Sequence, residues 1–203
     1  MAEEDNNRFE MLAGLTLAIL AAVLAVTDLG GGKYGDDEII GTNEKANAYA
    51  WYQSKSINQS IVEQELELLN SLEMTGTIDA AHAEGIKGHK ANLEADIARY
   101  KSEKKEILEG STAVGAEGQV LEKDGQKGQI KGTEEWEAEL AVLGAAGDKF
   151  DLATLFLQMS LVLGAVSIVL KAPSTRTAFY GGMVLCGVIG TGFMAWAFSI
   201  VMA

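Results

Sequence analysis

Apolar positions in this chain are concentrated in three long runs, and a charged segment separates the first from the other two. Met11 to Leu29 holds one charge, Asp28, near its end. Leu152 to Leu170 and Thr177 to Ala203 hold none. A helix needs about 20 mostly apolar residues to cross the hydrocarbon core of a bilayer, and each run meets that length. The pattern predicts an all-α fold with three transmembrane helices and a long extramembrane helical hairpin or coiled-coil-like bundle. Its organisation is an N-terminal tail at 1–10, a first span at 11–29, a helical domain at 30–148, a second span at 149–171 and a third at 177–203. The turn from Lys171 to Arg176, with Pro173, joins the last two.

Between the spans the apolar residues follow helical rather than strand spacing. Ala50, Ser54, Ile57, Ile61, Gln64 and Leu68 fit a 3.5-residue repeat, partly polar, as in a weak coiled coil or a bundle face. This predicts a helix over about 36–73, broken at Thr75-Gly76-Thr77, with Thr77 capping the next helix ahead of Asp79. Ile86, Leu93, Tyr100, Ile107, Val114 and Leu121 then recur every seven residues. Ile97 joins them at the companion position, where Lys90 and Lys104 also fall. That is a narrow seam for one neighbouring helix.

Glycines crowd 110–132. Each costs about 1 kcal/mol relative to alanine inside a helix, which favours a flexible or broken connection over a glycine-packed helix. Length agrees. The arms 30–73 and 78–150 would measure about 66 Å and about 110 Å as unbroken helices. A hairpin returning to one membrane cannot have such unequal arms. From Thr133 the helical pattern resumes, with Trp136, Leu140 and Leu143 on one face, and continues into the second span.

Charge refines the reading. The chain has 203 residues, a formal net charge of -13 and one proline. The acidity argues against nucleic acid as a partner, and the lone proline suits long helices. The acidic stretch before the first span and the lack of a small-residue cleavage site favour a retained anchor over a secretory signal. Arg8, Lys171 and Arg176 make the N-terminal side denser in basic residues than Lys33 to Lys149. This places the N-terminus in the cytoplasm and the helical domain outside.

Candidate chemistry is sparse. Gly30-Gly31-Gly32-Lys33 lacks the spacing of a phosphate-binding loop. His82 and His89 have no i, i+4 ligand partner, so no metal is expected. Cys186 reads as a small packing residue, since a thiolate is costly in lipid. Gln158 is the notable polar side chain within a span, suited to an interhelical hydrogen bond. Pumps and coupled transporters use intramembrane ionisable groups, and these spans hold none well inside. No nucleophile–base or metal constellation points to an enzyme, and no cofactor is implied.

Packing signals are stronger. Gly182, Cys186 and Gly190 form a small-residue row on the third span. Gly187, Thr191, Ala195 and Ser199 form a second row there, and Gly14, Ala18 and Ala22 a row on the first span. Such rows let helices approach closely in lipid, within one chain or between subunits. Tyr49, Trp51 and Tyr52 read either as packing anchors or as a docking patch with Gln53, Lys55 and Gln59 as polar contacts. On a helix, Tyr49 and Tyr52 share a face with Ser56, and Trp51 lies with Lys55.

Two stretches carry a resemblance. They are Ala48-Tyr49-Ala50-Trp51-Tyr52-Gln53-Ser54-Lys55-Ser56-Ile57-Asn58-Gln59, and Asp148-Lys149-Phe150-Asp151-Leu152-Ala153. Together they resemble a bacterial membrane-protein family carried as domain of unknown function 4337. The glycine-rich 110–132 stretch departs from the charged helix expected there. The resemblance implies one N-terminal span, a helical extramembrane region and a C-terminal pair of spans, and brings no catalytic residues. The expected protein is a non-enzymatic scaffold or assembly element of the bacterial inner membrane, in contact with lipid and self-associating as a homo-oligomer. The alternative is an accessory or anchor subunit of a larger heteromeric redox or transport complex.

Overall fold

The computed structural model describes residues 2–79 and 82–202. Met1 of the predicted tail and Ala203 of the predicted third span lie outside the described residues. The element order is α1 (Ala2–Met74), α2 (Ala83–Glu109), α3 (Ser111–Gly118), β1 (Glu122–Lys123), β2 (Gln126–Lys127), α4 (Thr133–Val169) and α5 (Pro173–Val201). The fold is nearly all-α, the exception being the two-stranded antiparallel hairpin that pairs Glu122 with Lys127 and Lys123 with Gln126. α1, α4 and α5 are each long and apolar enough to cross a membrane.

Two boundaries differ from expectation. The first span and the following helix are one helix, and Gly30-Gly31-Gly32 does not interrupt it. The reason is packing: a Cβ on Gly30 would stand 2.9 Å from the rings of Phe150 and Phe198. Close seating of two aromatic side chains offsets the helix cost of that glycine. Thr77 is not a cap. Its hydroxyl faces that of Thr75 at 2.8 Å, and α2 starts later, behind His82, with no side-chain cap.

The chain divides into two compact units, Met1–Ile40 with Leu140–Ala203, and Gly41–Glu139. The first holds the apolar helices. Leu20, Leu157 and Met183 are buried together, flanked by Leu17, Leu24, Leu161 and Tyr180. A second cluster joins Ala146, Phe150 and Ala197, with Tyr34 and Phe198 against it. Hydroxyls within the apolar runs are satisfied locally. Thr16, Thr27 and Thr191 donate to the carbonyls of Leu12, Val23 and Gly187, and Ser160 and Ser167 to those of Leu157 and Gly164. Such back-bonding hides a polar group where water is absent. Asp28 accepts from the Thr154 hydroxyl at 3.1 Å.

Aromatic and basic side chains mark both ends of this unit. At one end Arg176 lies 3.8 Å from the Phe9 ring centroid, and Phe9 packs edge-on to Tyr180 at 5.3 Å. At the other, Lys33 lies over Tyr34 at 5.1 Å and Lys149 over Trp196 at 5.0 Å. Along α1, Phe9 and Tyr34 are about 37 Å apart by helical rise. That exceeds a hydrocarbon core of about 30 Å and falls short of a whole bilayer with headgroups. It is a separation that sets Tyr180 and Arg176, beside Phe9, and Tyr34 with Lys33 near the two interfaces, where tyrosine and basic side chains are favoured.

The second unit is a helical hairpin with a capping module. Leu93 and Ile107 of the predicted α2 repeat are buried, and Ile86, Lys90, Ile97, Tyr100 and Lys104 are half-buried. The lysines at the companion positions are thus accommodated in the seam. Lys90 pairs with Glu73 at 2.7 Å, and Lys104 lies over the Tyr52 ring at 5.4 Å.

Candidate functional site

The aromatic run lies on α1 within the second unit, and its residues divide between two faces. Trp51 and Tyr52 point inward, packing with Ala48 against buried Ile107, Leu121 and Ile130. Tyr49 is 43% exposed, with Lys45 at 6.0 Å from its ring. The division therefore differs from the expected pairing of Tyr49 with Tyr52. Gln53 is exposed. Lys55 forms an ion pair with Glu103 at 2.7 Å, the carboxylate side chain being 9% exposed. Gln59 is buried and donates to Glu63 at 2.7 Å.

The inner face is completed by the glycine-rich segment, which is a built module. α2 ends at Gly110, whose φ of 93° is open to glycine and strained for other residues. Glu106, fully buried, organises the chain between α2 and α4. Its Oε1 accepts from the Ser111 hydroxyl at 2.7 Å. Its Oε2 accepts from the backbone N–H groups of Val120 and Leu121, both at 2.8 Å. The Ser111 hydroxyl in turn accepts from Ile130 N–H at 2.9 Å, and Ser111 N–H donates to the Ile130 carbonyl at 2.8 Å. The carboxylate thus ties α2 to the start of α3 and to the entry of the hairpin, and Ser111 extends the network to the exit at Ile130. At the far end Glu135 accepts from Gly132 N–H at 2.8 Å, opening α4.

This arrangement leaves a cavity of about 270 Å³ in the second unit. Its apolar lining is Ala48, Trp51, Ile107, Ile130 and Trp136, and its polar lining is Glu44, Asn47, Glu122, Lys123 and Lys131. The Lys131 ammonium sits 3.6 Å from the Trp136 ring centroid and is ion-paired to Glu139.

The other face of α1 is open. Ala50, Ser54, Ile57, Ile61, Gln64 and Leu68 are all exposed, with Ile57 at 54%, Ile61 at 57% and Leu68 at 59%. These are the positions of the 3.5-residue repeat. The hairpin's own packing uses instead Trp51, Tyr52, Lys55, Gln59, Val62, Leu66 and Leu69, which are buried or half-buried.

The candidate residues of the third span are drawn into packing within the first unit. A Cβ on Gly190 would meet Leu157 at 2.8 Å and the Ala153 carbonyl at 3.0 Å. One on Gly187 would meet Leu20 at 2.6 Å, and one on Gly182 would meet Leu163 at 3.3 Å. Cys186 is a half-buried free thiol. By contrast Gly14 has open space around it, and Ala18, Ala22 and Gln158 are exposed.

Among the described residues, no group of three His, Cys, Asp or Glu side chains is placed to hold a metal ion. His89 lies 2.9 Å from Glu65 as a surface contact, with both side chains about half exposed. The sequence profile of a family described as Domain of unknown function (DUF4337) matches residues 9–200. The chain belongs to this family. The match takes in the first two apolar runs, the third as far as residue 200, and the whole of the second unit. Neither a curated protein nor a solved structure matches the chain.

Sequence reasoning missed Glu106 and Ser111. A glutamate beside a heptad position looks like any solvated helix charge. The one available signal was the glycine directly after the helix, where a chain reversal could return backbone N–H groups onto the last turn.

Proposed function

We propose that this protein is a non-enzymatic integral membrane protein that self-associates through the outer stripe of α1 and serves as a scaffold or assembly element. One observation carries the reading: a three-heptad stripe, apolar at Ile57, Ile61 and Leu68, that is exposed at every position. Exposed apolar side chains at coiled-coil spacing are stabilised when a second helix covers them. The stripe is also suited to its own copy. In a parallel two-stranded pairing, Gln64 meets Gln64, and an amide can donate to and accept from another amide. The flanking positions bring Gln53 to Asn58, Ser60 to Glu65 and Glu67 to Leu72, so no like charges oppose each other. Arg8, Lys171 and Arg176 favour an orientation with the N-terminus in the cytoplasm, as expected for a protein of the bacterial inner membrane.

Disulfide trapping tests this in the full chain with Cys186 replaced by serine. Ile57→Cys and Ile61→Cys should each give a covalent dimer on mild oxidation in native membranes. Asn70→Cys, exposed but off the stripe, should not. Equal cross-linking at all three positions, or none at Ile57 and Ile61, would contradict the pairing. A stoichiometric foreign protein trapped at Ile57 would instead support the role of an anchor subunit.

A further inference from the structure

The cavity in the second unit has the chemistry of a ligand site, independently of self-association. Its floor and walls include two indoles, Trp51 and Trp136, an unusual concentration in a chain with three tryptophans. Indole faces attract cations, tryptophan most strongly of the aromatic residues. The protein already demonstrates this attraction here, because the Lys131 ammonium rests 3.6 Å from the Trp136 centroid. Glu139 neutralises that ammonium. The remaining charged lining residues are Glu44, Glu122 and Lys123, none of them ion-paired among the described residues. With Lys131 paired to Glu139 outside the lining, two carboxylates stand against one unpaired ammonium, so the cavity and its surround carry an excess negative charge. A chain of net charge -13 also concentrates cations around itself. The cavity, about 270 Å³, is large enough for a small organic molecule and has an apolar floor of Ile107 and Ile130 for its body.

We propose that this cavity binds a small organic cation, an alkyl- or arylammonium with an apolar body. The body lies on the indoles and isoleucines, and the ammonium is held by the excess carboxylate charge of Glu44 and Glu122. The site is held open by the hydrogen bonds of Glu106, which fix the hairpin carrying Glu122 and Lys123.

The test is a fluorescence titration of the full-length protein in detergent, with Trp196→Phe so that Trp51 and Trp136 are the emitters. The probes are 2-phenylethylammonium, the neutral 2-phenylethanol and the anionic 3-phenylpropanoate. The ammonium should give a saturable change, the alcohol should bind several-fold more weakly, and the carboxylate should give no saturation. Glu44→Gln with Glu122→Gln should weaken ammonium binding about threefold to tenfold, given the usual strength of partly exposed charge pairs. Lys131→Met leaves Glu139 without its partner, adds to the negative charge around the cavity, and should tighten binding about twofold to fivefold. A merely structural role for these surface charges predicts neither change. Absence of saturation with the ammonium, equal binding of the three probes, or indifference to the carboxylate substitutions would overturn the proposal.

Discussion

Glu106 offers the sharpest probe of how the second unit is built. Its carboxylate accepts the part-buried N–H of Val120 and the buried N–H of Leu121, both at 2.8 Å, and the Ser111 hydroxyl at 2.7 Å. Hydrogen bonds to an ionised acceptor contribute about 1.5–3 kcal/mol each, roughly twice the value for a neutral one. Glu106→Gln keeps the shape and leaves one oxygen to accept from Val120 and Leu121. It removes the charge from both bonds and turns an amide N–H₂ toward the Ser111 hydroxyl, which must then reverse. The cost should be about 2–3 kcal/mol, falling on 111–132 rather than on the whole fold. Glu106→Ala leaves both N–H groups without an acceptor and opens a void. Its cost should be about 3–5 kcal/mol. Hydrogen exchange reads this directly, because each 1.4 kcal/mol corresponds to a tenfold change in the opening equilibrium. The Val120, Leu121 and Ile130 amides should exchange roughly thirty- to hundredfold faster in Glu106→Gln, and faster again in Glu106→Ala. Amides of Leu157 and Met183 in the first unit should not change. Unchanged protection at Val120 and Leu121 would refute the reasoning, as would a larger effect for glutamine than for alanine.

Two further predictions concern packing. Gly190→Leu forces a side chain into the space held by Leu157 and the Ala153 carbonyl; it should destabilise the first unit by about 1–3 kcal/mol or more, lowering the thermal midpoint in detergent, whereas Gly14→Leu, where nothing lies within 4 Å, should leave that midpoint unchanged. Lys55→Met strands the mostly buried Glu103 carboxylate and should cost about 2–4 kcal/mol, while Lys55→Met with Glu103→Leu should recover most of that loss; additive losses in the double-mutant cycle would show that the pair is not coupled.

The helices were legible because the bilayer and the hairpin seam impose simple rules. Length and the absence of charge mark α4 and α5, and the α2 repeat marks the face that Leu93 and Ile107 bury. The continuity of α1 through Gly30-Gly31-Gly32 was not legible. Local propensity argues for a break there, and the compensating contacts of Phe150 and Phe198 come from residues more than a hundred positions away. The module at 110–132 was hidden for a related reason. Its order rests on one carboxylate and a hydroxyl, which have no periodic signature, and its glycines serve tight reversals that composition alone presents as looseness. The repeat at Ala50, Ser54, Ile57, Ile61, Gln64 and Leu68 was visible, but which face of α1 the hairpin uses was not. The inner face, Trp51, Tyr52, Lys55, Gln59, Val62, Leu66 and Leu69, has as many large aliphatic residues as the stripe, but Lys55 and Gln59 interrupt it, so the pattern alone does not choose between the two faces. Finding that stripe outside the hairpin core is what turns a packing motif into a candidate interface.

Self-association through that stripe is the central claim, and the mass of the native particle tests it most directly. The full-length protein, extracted in mild detergent with its protein content identified, should have a protein mass at a fixed multiple of 21.6 kDa greater than one. Ile57→Lys with Ile61→Lys changes two exposed side chains, so it should leave the fold intact and reduce the particle to a single chain. A wild-type particle containing one chain, or a multiple that survives the double substitution unchanged, would contradict the account.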